Sequence, residues 1–463
     1  MSEYFSLSDC DVIGFDLDHT LCRYHLKETS RLIYESFCQG IWWSIKGYDK
    51  DLLNLTPATW DFCFKGLVVD LEDGNLVKLA DDGTVLRATH GTSELSTEEI
   101  IKHYGSKREW KHFNNLNTSF TRSAKYYLYD NYFDLPGALL CGRVVDMLHK
   151  RGNEVNSDFW KDMIAAIEHN YNTSAFKEDA GTYFPSVKRD PGRYLQTCSD
   201  SVKTWLRSMK NAGKVLLLIT SSHSDYCRLI CEHILGKDFE ELFDIIITNA
   251  LKPGFFSLVP HQRPFRTLVN DTEESEGLPS LDKPGWYSQG NWPHLHELLK
   301  TMTGKPEPKV VYFGDSMRSD VFPATSFGKW ETVMIVEEME GEGVPKSDAA
   351  MSNEAQVEPM EKKGKFEDQG MKAPSAVSQQ WGSYFVDVHK SGGGDEEHLK
   401  LTWCCHCIHK YSTMAIPSVE HIADLPLDYK FPRFCPDKPC TTGYYPRPPD
   451  SLLKWFFGKL SKK

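Results

Sequence analysis

Asp11-Val12-Ile13-Gly14-Phe15-Asp16-Leu17-Asp18-His19-Thr20-Leu21 is the stretch whose reading decides the fold. Val12, Ile13, Phe15 and Leu17 predict a short buried strand. That strand ends in two carboxylates two residues apart, followed by a threonine. A buried strand ending in Asp-x-Asp is costly unless something compensates the charge. A divalent cation supplies that compensation, and hard oxygen ligands at a strand's carboxyl end suit Mg²⁺. The competing reading is a strand end with two solvated aspartates, and this stretch alone leaves both open.

Three more strands downstream end in polar residues. The apolar run from Lys214 to Ile219 ends in Thr220-Ser221-Ser222. Asp244-Ile245-Ile246-Ile247-Thr248 is followed by Asn249-Ala250-Leu251-Lys252-Pro253. Lys309 to Phe313 leads into Gly314-Asp315-Ser316-Met317-Arg318-Ser319-Asp320, and Thr332 to Val336 is a last short strand. Between them lie helical patterns. Val202, Trp205, Leu206 and Met209 share one face, closed by Gly213. Ser224 is placed to cap a helix running to Leu235, with Gly236 as its stop. Asn291 and Pro293 open a helix carrying Leu295, Leu298, Leu299 and Met302. Helices alternating with near-continuous apolar strands imply an α/β fold, a doubly wound, mostly parallel sheet covered on both faces.

In an open parallel sheet, ligands bind at the carboxyl ends of the strands. Asp16, Asp18 and Thr20, then Thr220, Lys252, and Asp315 with Asp320, are therefore expected to meet in one crevice. Each group matches a need of phosphoryl transfer through an aspartyl-phosphate. One carboxylate attacks phosphorus. A second carboxyl protonates the leaving oxygen and later deprotonates water. A hydroxyl and a lysine hold phosphoryl oxygens, and a further Asp completes a metal shell.

Between Arg23 and Gln196 the strand pattern is interrupted by a long, aromatic-rich region. Leu67 to Leu79 reads as strand, turn, strand about Asp73-Gly74. Asp81-Asp82-Gly83 is a second turn, and Leu139 to Leu148 has helical spacing after Pro136-Gly137. Residues 1–336 thus read as one core with an insertion at about 23–196. Residues 337–380, charged and poor in large apolar residues, read as an acidic disordered linker. Residues 381–463 read as an extension packing on the core, rich in proline from Pro426 to Pro449.

The 463 residues carry a net charge of −12, which argues against binding a nucleic-acid polymer but not against a small phosphorylated substrate. Thirteen cysteines without regular spacing suit reduced thiols and a cytoplasmic location. Met1 to Cys10 has no signal-peptide pattern, and no apolar run reaches membrane-spanning length. No repeat is evident, and self-association is left open.

The order of motifs resembles the haloacid-dehalogenase-like phosphatases. Asp16-x-Asp18-x-Thr20 is similar to their first motif, Thr220 to the second, Lys252 to the third and Gly314-Asp315-(x)4-Asp320 to the fourth. Similarity is closer to the cytosolic purine 5′-nucleotidase family. It is carried by Lys65-Gly66-Leu67-Val68-Val69-Asp70, Gly74-Asn75-Leu76-Val77-Lys78, Asp134-Leu135-Pro136, Lys252-Pro253-Gly254-Phe255-Phe256 and Tyr287-Ser288-x-Gly290. The resemblance implies an α+β cap in the insertion, Asp16 as nucleophile and Asp18 as general acid and base. It implies Mg²⁺ held by the Asp16 side chain, the Asp18 backbone carbonyl and Asp315. Thr220 and Lys252 would bind phosphate, Asp320 would support the metal shell or Lys252, and Phe133 would stack on a base. The expected activity is hydrolysis of a nucleoside 5′-monophosphate.

Two departures weaken the substrate inference. The family's second motif usually reads Thr-Asn-Ser, whereas here it is Thr220-Ser221-Ser222, without the amide. The family's Arg-x3-Asp-x2-His pattern has no clear counterpart in Lys188-Arg189-Asp190-Pro191-Gly192-Arg193-Tyr194. Another small phosphometabolite, or a weakly catalytic scaffold that keeps the fold, are the alternatives. Cys404-Cys405-His406-Cys407 with His409, and Cys435 with Cys440, are candidate zinc ligands, but they lack paired Cys-x2-Cys spacing and read better as ordinary thiols. His19 is a candidate substrate contact but reads better as shaping the strand-end loop, and His294 and His296 read as helix-surface or packing residues.

Overall fold

A computed structural model of the chain describes residues 2–44, 50–54, 57–156, 158–172, 174–347, 377–390, 397–436 and 441–461. Its centre is an eight-stranded sheet. In spatial order the strands are Phe265–Arg266, Gly285–Gln289, Ile245–Thr248, Val215–Ile219, Val12–Phe15, Val310–Gly314, Glu331–Ile335 and Met414–Ile416. All neighbours are parallel except the edge strand Phe265–Arg266, which runs antiparallel. Successive side chains point to opposite faces, so each strand feeds two cores. Ile13, Phe15, Leu216, Leu218, Val311 and Phe313 are buried on one side, and Val12, Leu217, Ile219, Ile245, Ile247 and Tyr312 on the other. Burial on both faces explains why these strands lack apolar–polar alternation.

The helices start where local capping chemistry directs. Ser199 accepts from the Val202 amide at the head of Asp200–Asn211. Asn291 accepts from the His294 amide at the head of Trp292–Thr303, with Pro293 in its first turn. One expectation fails: Ser224 is the first residue of the helix Ser224–Leu235 and His223 occupies the cap position. Ser224 instead donates its hydroxyl proton to Asp271, a partner far along the chain that local pattern cannot reveal.

The insertion begins and ends in a two-residue ribbon, Arg23 opposite Gln196 and Tyr24 opposite Leu195. It carries a five-stranded antiparallel sheet, Ser93–Glu94, Val85–His90, Asn75–Leu79, Val68–Asp70 and Tyr126–Leu128, with the helices Leu26–Ser44, Pro136–Lys150 and Asp158–Tyr171. Val68–Asp70 and Asn75–Leu79 form the hairpin read around Asp73-Gly74, where Gly74 has φ 78°.

The tail does more than cover the core. Met414–Ile416 pairs with Glu331–Ile335 as the eighth strand, and Trp381 is 0% exposed. The disordered-linker reading of 337–380 is wrong at both ends. Glu337–Glu340 is a buried 3₁₀ turn, and Ser378 is buried as well. Composition misled because these acids are matched across the fold. Arg23 bonds Glu337 at 2.7 Å and Glu340 at 3.2 Å, and Lys65 meets Glu338 at 2.9 Å. Residues 348–376 lie outside the described residues. Deleting 337–380 is therefore expected to destabilise the protein by at least about 3 kcal/mol, because Arg23 and Lys65 would stay buried without their counter-charges. A denaturant melt of the deletion variant that matched the intact chain would overturn that assignment.

Candidate active site

Register brings the polar strand ends to one edge. Phe15 is opposite Leu218 on one neighbour and Phe313 on the other, so Asp16, Thr220 and Asp315 follow within a residue or two of each other. The strand that precedes Lys252, Ile245–Thr248, lies next to the one that precedes Thr220, and Thr220 donates its amide to the Ile247 carbonyl.

At this edge the Lys252 ammonium is surrounded by oxygen. Nζ lies 2.9 Å from Asp16 Oδ1, 2.7 Å from Asp320 Oδ1, 2.7 Å from the Tyr312 hydroxyl and 2.9 Å from the Ile219 carbonyl. Burial disfavours its charge, but Asp16 and Asp320 outweigh that and raise its pKa. Carboxyl oxygens of Asp16, Asp315 and Asp320 lie within 4.8 Å of one another. Burial, then the Asp16 and Asp320 charges, push the Asp315 carboxyl well above the usual range. Asp320 is pushed up to about 7, first by burial and then by Asp16, with Lys252 opposing. Three carboxyl groups with one ammonium in contact are under-neutralised, and that donor set fits a hard divalent cation.

Local sequence builds this cluster. Gly314 has no side chain because a Cβ there would come within 2.4 Å of the Asp320 Cβ. Met317–Val321 is a π-helical turn capped by Ser316, whose hydroxyl accepts from the Ser319 amide. The turn brings Asp320 back so that its Oδ2 accepts from the Ser316 amide at 3.2 Å.

Asp18 faces another way. Its carboxyl accepts the Tyr24 hydroxyl at 2.5 Å and the Ser222 hydroxyl at 2.6 Å. Burial raises its pKa, and the bonds from Ser222, Tyr24 and Thr220 oppose that rise. The Tyr24 hydroxyl also lies 2.9 Å from that of Tyr226, which lies 2.8 Å from that of Tyr183. Thr220 is fully buried, and its Oγ1 accepts from the Ser222 amide at 3.0 Å. The side chains that meet at the acidic cluster are thus those of Asp16, Asp315 and Asp320, with Asp320 inside the group rather than behind it.

Phe133 is half-buried at the insertion's edge, with ring centroids 4.9 Å from His19, 5.5 Å from Tyr24 and 5.8 Å from Tyr171. His19 is 1% exposed with neither ring nitrogen hydrogen-bonded, and burial lowers its pKa to about 3. Lys188 is taken up by Asp179 and Arg193 by Glu28. His294 and His296 lie on the Trp292–Thr303 helix, where His296 packs its ring against Trp292. Among the described residues no three potential metal ligands meet around Cys404–Cys407, and Cys440 lies outside those residues. Sequence reasoning missed Tyr24 and Tyr312. Tyr312 had one signal, a lone polar tip inside the apolar run Val310–Phe313, whereas Tyr24 had none.

Comparison with known proteins gives the family. A model of the 5′ nucleotidase family matches residues 1–392. The chain is 62% identical over 450 residues to human 5′-nucleotidase domain-containing protein 1, covering 97% of each. It is 61% identical over 464 residues to the Bos taurus protein of that name, covering 100% of each. Human 5′-nucleotidase domain-containing protein 2 is 27% identical over 353 residues, 73% of this chain and 62% of that protein. The chain belongs to the 5′ nucleotidase family and, with it, to the phosphoric monoester hydrolases.

Proposed function

We propose that the protein is a Mg²⁺-dependent phosphomonoesterase acting on nucleoside 5′-monophosphates. The observation that carries this reading is the Lys252 ammonium bridging Asp16 and Asp320 at a strand-end edge shared with Asp315 and Thr220. An Asp16 carboxylate oxygen attacks phosphorus as the ester P–O bond breaks, leaving an aspartyl-phosphate. Asp18 gives its proton to the departing oxygen. It then takes a proton from water as the water attacks phosphorus, which releases phosphate and restores Asp16. Lys252 and the Thr220 hydroxyl hold phosphoryl oxygens. Asp16 and Asp315, with the Asp18 carbonyl and Asp320 in support, would hold Mg²⁺, which supplies charge for the phosphoryl group when bound. Family membership supports the nucleotide, and Phe133 is the aromatic we assign to its base. With Thr220 fully buried and Asp16 8% exposed, substrate entry requires the crevice to open.

The test is phosphate release from a panel of nucleoside monophosphates and sugar phosphates, with and without Mg²⁺. Release from nucleotides alone, dependent on metal, supports the reading. Release from sugar phosphates instead would reassign the substrate, and no release from any would favour a non-catalytic role.

The bond from Tyr24 makes a further expectation. Its hydroxyl stabilises ionised Asp18, so Tyr24→Phe should raise the Asp18 pKa. Ester cleavage needs Asp18 protonated, so the alkaline limb of kcat/KM should move up by about 0.5–1 pH unit, the worth of one hydrogen bond. An unmoved limb in the pH–rate profile would remove Asp18 as the acid or Tyr24 as its partner.

A further inference from the structure

A cavity of about 530 Å³ lies away from the acidic edge, between the insertion's Val85–His90 strand, the Thr97–Tyr104 helix and the C-terminal strand Val386–Lys390. Arg108 lines it and is 3% exposed. Its Nη2 is buried without a hydrogen-bond partner. Burial lowers its pKa and no carboxylate opposes that shift. Its backbone is tied down: its carbonyl accepts the Val85 amide at 2.8 Å and its amide donates to Gly105 at 3.0 Å. A buried guanidinium nitrogen without an acceptor is costly in a folded protein unless something arrives to satisfy it.

Arg87, on the same wall, shows how this fold treats a structural arginine. Its Nε and Nη2 donate to Asp387 at 2.9 and 3.0 Å, and Nη1 donates to the Gln380 carbonyl at 2.8 Å. Among the described residues no carboxylate pairs with Arg108 in this way. Lys390, exposed at the cavity's side, makes no ion pair among the described residues. The cavity also has two acids. Glu99 is engaged by the Ser96 amide at 2.7 Å in the helix cap, and Glu94 is exposed. The remaining lining is Leu86, Leu95, Ile100 and Val388 with Ser96 and Thr97, and most of the accessible lining surface is polar.

We infer that this cavity binds a small organic phosphate, its phosphate held by the Arg108 fork and by Lys390. A planar guanidinium matches two phosphoryl oxygens, and a second cation suits a dianion better than a carboxylate. The volume exceeds what a bare ion fills and leaves room for a polar organic body. One wall belongs to the insertion and the other to the C-terminal extension, so occupancy joins the two. The inference is independent of the catalytic reading.

The test is calorimetric titration of the full chain with inorganic phosphate in metal-free buffer, using acetate as the control anion. Binding in Arg108→Gln is expected to weaken at least about tenfold at this site, the worth of a charged hydrogen-bond pair. Lys390→Ala, an exposed change that leaves the fold alone, is expected to weaken it several-fold. Competitive inhibition of phosphate release by inorganic phosphate, which reads the catalytic crevice, is expected to stay as in the wild type for both. In phosphate-free buffer Arg108→Gln is expected to melt no lower than the wild type, because a buried unmatched charge is gone. Unchanged phosphate stoichiometry and affinity in Arg108→Gln would overturn the site, and so would unchanged affinity in Lys390→Ala if the arginine variant fails to fold. Acetate binding as tightly as phosphate would overturn the ligand class.

Discussion

Asp16→Asn is expected to lower turnover about 10⁴-fold or more, the scale seen when a covalent nucleophile is removed. The amide is nearly isosteric but is a poor nucleophile. The surroundings predict that the fold survives. Asp16 Oδ1 accepts the Leu17 amide at 2.8 Å, a bond the amide oxygen can keep. Lys252 retains Asp320 and the Tyr312 hydroxyl, each at 2.7 Å. The Asp16 charge is also among the forces pushing the Asp315 and Asp320 carboxyls upward. Removing it relieves repulsion, so the metal-free variant should melt at or above the wild-type temperature. Phosphate release and a thermal melt on one preparation check both halves. Turnover at even a tenth of the wild-type rate, as a rough bound, would eliminate the covalent route through Asp16.

Asp315→Asn is expected to abolish stabilisation by Mg²⁺. A cation that binds the native cluster far better than the unfolded chain should stabilise the wild type by about 2.7 kcal/mol at a hundred times its dissociation constant. The pH dependence without metal follows from the raised carboxyls. Below about pH 4 these groups are protonated in both the folded and unfolded states, and the cluster carries no penalty. As pH rises, the unfolded chain releases protons that the folded cluster still holds, so stability falls until the folded groups ionise, at about 7 for Asp320. The metal-free wild type should therefore lose stability across that window, and Asp315→Asn should lose less. Melts of both proteins across pH, with and without Mg²⁺, measure these differences. Equal Mg²⁺-induced shifts in the two proteins would show that the ion binds elsewhere.

Both expectations rest on groups that local pattern could locate but could not arrange. Asp16, Thr220, Lys252 and Asp315 each follow an apolar run that reads as a buried strand, and parallel strands present their carboxyl ends to one edge. The cap position of the Ser224–Leu235 helix was misread because Ser224 has a better partner in Asp271, 47 residues on. Glu337 and Glu338 looked like linker acids because a charged residue's composition does not reveal its counter-ion. Arg23 lies 314 residues from Glu337, and Ser378 bonds Asp61 across 317 residues. Such pairings leave no periodic trace.

By itself the sequence determined the alternation of buried strands and helices, the long insertion after the first strand, and the chemical identity of the groups at the strand ends. Hydrophobic period and capping act over a few residues, and they are written locally. Tertiary structure alone decided that Asp320 joins Asp16 and Asp315 around Lys252 while Asp18 turns toward Tyr24 and Ser222. It also decided that Met414–Ile416 completes the sheet and that Arg108 Nη2 is buried without a hydrogen-bond partner. These outcomes depend on where distant segments come to rest, and on which charge finds an acceptor once water has been excluded.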